Sequence, residues 1–134
     1  MSTRLKYIIV DDDPFNNMIC TMVIKDSLGE ETEVKAFTKP EEGLLFIKEN
    51  VQETTVLFLD INMPGINGFE LLDKIREMPD LHNRKGNMKV FMLTSSINPD
   101  DYKLATEKYN DIITGFRIKP LTDTIFLKIV QTYF

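Results

Sequence analysis

From Val56 to Leu59 the chain carries no polar side chain, and the run then stops at a single carboxylate, Asp60, followed by Ile61-Asn62-Met63-Pro64-Gly65-Ile66-Asn67-Gly68. A strand with one face in water alternates apolar and polar residues. A strand that is apolar at every position needs cover on both faces, as an interior strand of a parallel sheet between two layers of helices has. Pro64 and Gly65 mark a turn, so the strand delivers Asp60 to a loop at its carboxyl end. In open α/β sheets that is the edge where ligands bind. This stretch therefore constrains the chain to an α/β architecture and raises the question of what else reaches the same edge.

The rest of the chain supplies the alternation such a sheet requires. A first strand, Leu5 to Val10, ends at Asp11-Asp12-Asp13, and Asp13 with Pro14 is a helix N-cap followed by proline at the first helical position. Met18, Ile19, Met22 and Val23 recur on one face of that helix, which Gly29 is placed to end. A second strand is expected over Glu33 to Phe37. Thr38 with Glu41 reads as a capping box for a helix that carries Leu44, Leu45 and Ile47 toward Asn50. The central strand is Thr55 to Leu59. Asn67 with Glu70 caps the next helix, which presents Phe69, Leu72 and Ile75 and ends near Pro79. Asp80 to Asn87 reads as an extended loop, with the lone His82 in it as a solvated loop residue. Strand four is Lys89 to Leu93. Asn98-Pro99-Asp100-Asp101 opens the fourth helix with acid at the positive end of its dipole. Strand five is Ile113 to Ile118, and the last helix shows Ile125, Phe126, Ile129, Val130 and Tyr133 on one face. Five βα units without repeat, linker or low-complexity segment fill the 134 residues, which predicts one domain with right-handed crossovers.

Composition narrows the function classes. A net charge of -5 without a Lys/Arg cluster argues against direct nucleic-acid binding. No apolar run approaches the roughly 20 residues that span a bilayer, and no signal-peptide core follows Met1. The lone Cys20 cannot form an internal disulfide, in keeping with a cytoplasmic setting.

Five side chains lie just past the strands: Asp11 and Asp12 after the first, Asp60 after the third, Thr94 after the fourth and Lys119 after the fifth. In a parallel sheet they converge on one edge. Taken singly, each has an ordinary reading: Asp-Asp-Asp-Pro as a helix cap, Asp60 as a turn starter, Thr94 and Lys119 as strand-end residues. Together they make a specific chemistry. Three neighbouring carboxylates repel unless a cation is present, and a hard divalent ion such as Mg²⁺ with oxygen ligands answers that. An aspartyl carboxylate can attack phosphorus. Lys119 then supplies fixed positive charge and the Thr94 hydroxyl a donor, so that positioning and charge neutralisation do the work. Asp60, alone at the end of the central strand, is the better nucleophile; Asp11 and Asp12 are better placed to hold the metal, one directly and one through water.

At this point the sequence resembles the receiver domain of two-component response regulators. The resemblance rests on Ile8-Ile9-Val10-Asp11-Asp12-Asp13-Pro14, Leu59-Asp60-Ile61-Asn62-Met63-Pro64, Leu93-Thr94-Ser95 and Phe116-Arg117-Ile118-Lys119-Pro120, in order along essentially the whole chain. It implies a flavodoxin-like (βα)5 three-layer sandwich with sheet order 2-1-3-4-5 and a single receiver domain over 1–134; with the sequence ending directly after the fifth helix, no effector domain is expected. It implies that Asp60 accepts a phosphoryl group from a sensor histidine kinase or a histidine phosphotransfer protein. By the same resemblance Asp12, Asp60 and the backbone carbonyl of Asn62 ligate Mg²⁺, and Asp11 acts through a metal-bound water. Lys119 and Thr94 look like the phosphoryl-sensing pair and Phe116 like the switch aromatic. Output would pass to a downstream protein, or to a second copy of the chain, through the face formed by the fourth helix, fifth strand and fifth helix. Such a protein catalyses only its own phosphorylation and dephosphorylation and is otherwise no enzyme. The rival is a small Mg²⁺-dependent aspartyl-phosphate phosphatase using Asp11 and Asp13, which leaves Asp60 without a role.

Overall fold

A computed structural model describes residues 5–50, 54–78, 88–95 and 98–134. The loop from Asp80 to Asn87, including His82, lies outside the described residues. Five strands, β1 (Lys6–Val10), β2 (Val34–Phe37), β3 (Thr55–Asp60), β4 (Met88–Thr94) and β5 (Ile113–Ile118), pair in parallel in the order β2-β1-β3-β4-β5. Among the described residues the helices are α1 (Pro14–Leu28), α2 (Pro40–Glu49), α3 (Gly68–Arg76), α4 (Pro99–Glu107) and α5 (Asp123–Tyr133). This is the flavodoxin-like α/β fold.

The apolar run of β3 has the explanation its sequence demands. All six residues from Thr55 to Asp60 are buried. Leu57 and Leu59 face one way, joining Ile8, Val10, Val90 and Met92 against α2, α3 and α4. Val56 and Phe58 face the other way, joining Tyr7, Ile9, Phe91 and Leu93 against α1 and α5. Side chains alternate along a strand, so a strand between two helix layers has no polar position to spare. On the second face the Phe58 ring stacks on Phe91 at 5.6 Å and meets Phe126 of α5 at 6.3 Å.

Two helices depart from the sequence reading. In α1 the expected apolar face points inward only in part: Val23 packs against the core and Ile19 is partly buried, but Met18 and Met22 are half exposed, as is Phe15, while Asn16, Asn17, Cys20 and Ile24 are buried. The helix is rotated so that two amides can bond the end of β1. Asn16 Nδ2 donates to the Asp11 carboxylate and Asn17 Nδ2 to the Asp11 carbonyl, at 2.7 and 3.0 Å. In α2 the cap is Lys39, without a side-chain bond, and not Thr38 with Glu41. Pro40 lacks an N–H and is suited to the first helical position, which sets the boundary one residue later than the capping box would. The other caps form as expected. Asp13 accepts from Phe15, Asn67 and Glu70 make a reciprocal capping box, and Asn98 accepts from Asp100.

Candidate functional site

The carboxyl ends of β1, β3 and β5 bring Asp11, Asp12, Asp60 and Lys119 together. Asp11 and Asp60 are buried and Asp12 is exposed, and one carboxylate oxygen from each lies within 4.8 Å of the others. Lys119, just past β5, bridges two of them: its Nζ is 2.6 Å from Asp11 Oδ2 and 3.2 Å from Asp60 Oδ1. Thr94 closes β4 and is fully buried; its carbonyl accepts the Lys119 backbone N–H at 2.7 Å, which ties the end of β5 to the site. Asn62 is exposed on the loop after Asp60. Phe116 is half-buried on β5 and meets Tyr102 of α4 edge-on at 5.6 Å. On and just after α4, Ala105 and Tyr109 are core residues and Tyr102 is exposed.

The loop after Asp60 is held by its glycines. Gly65 has φ +85, a left-handed conformation that suits a residue without a Cβ. Gly68 opens α3 against the end of β3. Its N–H donates to the Ile61 carbonyl at 2.8 Å, and a Cβ there would fall inside contact distance of the Asp60 carbonyl oxygen. The helix can start this close to the acidic residue only because position 68 has no side chain.

The electrostatics are those of a crowded acidic pocket. Burial, then the charge of Asp11, pushes the Asp60 carboxyl up to about 6 from its ordinary 3.8, against the pull of Lys119. Burial alone would lower the Lys119 ammonium, but its hydrogen bond to Asp11 and the charges of Asp60 and Asp11 outweigh this, and its pKa is raised. Asp11 and Asp60 thus share one ammonium with a third carboxylate close by, and Asp60 as an anion is under-compensated. Oxygen-only donors this close together, with a buried carboxylate short of positive charge, fit a hard divalent cation such as Mg²⁺. Cys20, buried under the site, has its thiol pushed up to about 12 by burial and by Asp11, which disfavours the thiolate.

Asn16 and Asn17 were absent from the sequence reading of the site. The signal was present: two adjacent Asn early in a helix, a residue type that bonds locally and is a poor helix former, directly after an acidic turn.

Comparison with known proteins agrees with this geometry. The family model described as response regulator receiver domain matches residues 7–131. An uncharacterized 14.6 kDa protein from the sodA1 3' region of Leptolyngbya boryana is 26% identical over 132 residues, covering 97% of this chain and 90% of that protein. The putative two-component response regulator ARR13 of Arabidopsis thaliana is 26% identical over 128 residues; the match covers 96% of this chain but 20% of that longer protein. The crystal structure of a two-component response regulator from Cytophaga hutchinsonii superposes with a TM-score of 0.82 at 26% identity, over 98% of both chains.

Proposed function

This chain belongs to the response regulator receiver domain family, and from that membership we propose that it is a phosphoacceptor that takes one phosphoryl group onto Asp60 and signals by a change of shape. The observation that carries the proposal is the placement of Asp60: a buried carboxylate at the end of the central strand, 3.2 Å from the Lys119 ammonium and within the acidic cluster. The donor is the phosphohistidine of a histidine kinase or a phosphotransfer protein, met in the cytoplasm. An Asp60 oxygen attacks phosphorus, a P–O bond forms as the P–N bond breaks, and the electron pair of that bond stays on the imidazole.

Asp12, Asp60 and the Asn62 carbonyl would hold Mg²⁺, with Asp11 behind a bound water. When bound, the ion supplies positive charge against the anionic phosphoryl oxygens. The protein's own groups do the rest. Lys119 neutralises charge on the transferred group, and the Thr94 hydroxyl donates to one of its oxygens. The pull on Thr94 opens room beside β5 for Phe116 to leave Tyr102 and turn inward. That is a two-state population shift on the α4–β5–α5 face, where a downstream protein or a second copy would read it. Apart from its own phosphorylation and dephosphorylation the chain catalyses nothing.

The hydrolase reading built on Asp11 and Asp13 lacks a second acid in the site: Asp13 is exposed and its Oδ1 accepts the Phe15 N–H at 3.0 Å as a helix cap. The test is incubation with acetyl phosphate and Mg²⁺. One label per chain is expected, lost in Asp60→Ala and retained in Asp13→Ala. Catalytic turnover of a phosphomonoester that needs Asp13 would overturn the proposal.

A further inference from the structure

We infer that Asn16 is a positioning residue of the acidic site: it fixes the Asp11 carboxylate independently of Lys119, so that Asp11 keeps its orientation toward the cation when Lys119 turns to Asp60. The inference rests on the phosphoacceptor reading for its second half and on geometry alone for its first.

Asn16 lies in the first turn of α1 and is 6% exposed. An amide is costly to bury unless it is bonded, and Asn is a weak helix former. Packing does not require it here, since apolar side chains of the same helix are left outside. What Asn16 does is donate from Nδ2 to Asp11 Oδ2 at 2.7 Å, a short bond to a charged acceptor. The other oxygen, Asp11 Oδ1, accepts the Asp13 N–H at 2.9 Å. Both oxygens are therefore pinned by groups on the same turn, one from the backbone and one from Asn16.

Lys119 shares Asp11 Oδ2 with Asn16, at 2.6 Å, and reaches Asp60 at 3.2 Å. Any anionic group added at Asp60 draws Lys119 toward it and away from Asp11. Asp11 Oδ2 would then be a buried anionic oxygen with one remaining donor, the Asn16 amide. Without that donor the carboxylate is free to swing toward Lys119 or toward water. Asp11 would reach the cation through a bound water, so Asn16 acts on the metal's outer shell, where removing such a group typically lowers affinity toward the lower end of about 10- to 100-fold.

The test is titration of the full chain with Mg²⁺ alone, followed by amide NMR shifts, for wild type, Asn16→Leu, which is nearly isosteric, and Asn16→Ala. Mg²⁺ affinity falls about 10-fold or more in both variants, while circular dichroism shows them folded. The loss is larger when Lys119→Ala is also present, because both donors to Asp11 Oδ2 are then gone. A folded variant that binds Mg²⁺ within about twofold of wild type, inside the span expected for a group without a role, overturns the inference. Should neither variant fold, wild type decides: the Asn16 side-chain amide protons exchange slowly with solvent and shift on adding Mg²⁺, and fast exchange with no shift overturns it. Acetyl phosphate labelling of wild type is read separately, so failure of the phosphoacceptor reading would not be mistaken for failure of this one.

Discussion

Replacing Asp60 by Asn should make the metal-free chain more stable. Asp60 is 5% exposed, and its carboxyl is pushed from 3.8 up to about 6 by burial and by Asp11. Between those two values the folded state binds more protons than the unfolded state, so stability falls as pH rises through this window. The difference of about two pH units corresponds to about 3 kcal/mol, present as a penalty at pH 7.5 and relieved below pH 4. The amide that replaces the carboxylate in Asp60→Asn carries no charge at any pH and escapes the penalty. With a urea m-value of about 2 kcal/mol/M, the midpoint of Asp60→Asn at pH 7.5 in EDTA should lie about 1.5 M above wild type. Unfolding followed by circular dichroism at pH 7.5 and at pH 4 checks both the sign and the trend. The advantage should shrink toward zero at the lower pH, and adding Mg²⁺ at pH 7.5 should narrow it by stabilising wild type. A variant less stable than wild type at pH 7.5, or an advantage that does not change with pH, would refute the reasoning.

Other perturbations follow from the same geometry. Lys119→Ala leaves Asp11 and Asp60 without their ammonium and should cost about 3 kcal/mol in EDTA, since breaking a buried pair strands a charge; urea unfolding with and without Mg²⁺ should show much of the loss recovered by the metal. Gly68→Ala places a Cβ against the Asp60 carbonyl and should destabilise by about 2 kcal/mol, with amide shifts at residues 60–62 that a distant core change does not produce. Phe58→Ala empties the centre of the ring cluster with Phe91 and Phe126 and should cost about 4 kcal/mol, read from the thermal or urea midpoint. Tyr102→Ala removes only the edge-on contact with Phe116, a loss of about 1 kcal/mol or less, and should leave Asp60 labelling unchanged while altering the amide shifts of β5.

What was legible in the sequence was whatever a single strand or its end dictates. The unbroken apolar run through Leu59 requires cover on both faces, and the sheet has it. Asp11, Asp12, Asp60 and Lys119 follow strands, and parallel strands share an edge, so their approach to one another needed no side-chain detail. The helix faces were less legible. Met18 and Met22 have the spacing of a core stripe, yet α1 is turned by the bonds that Asn16 and Asn17 make to Asp11, which are contacts with another element and leave no periodic trace. The Thr38 capping box lost to Pro40 for a local steric reason that a pattern of polar residues does not encode. The sharing of Asp11 Oδ2 between Asn16 and Lys119 joins residues far apart in the chain, and only the fold brings them together.

The central claim, that Asp60 is the phosphoacceptor, is tested most directly by locating the label. After exposure to acetyl phosphate and Mg²⁺, borohydride reduction converts an aspartyl phosphate to homoserine, which peptide mass spectrometry assigns to a position. Homoserine is expected at position 60, with positions 11, 12 and 13 unchanged. Homoserine at 11 or 12 with Asp60 intact, or no conversion in a folded protein, would contradict the claim.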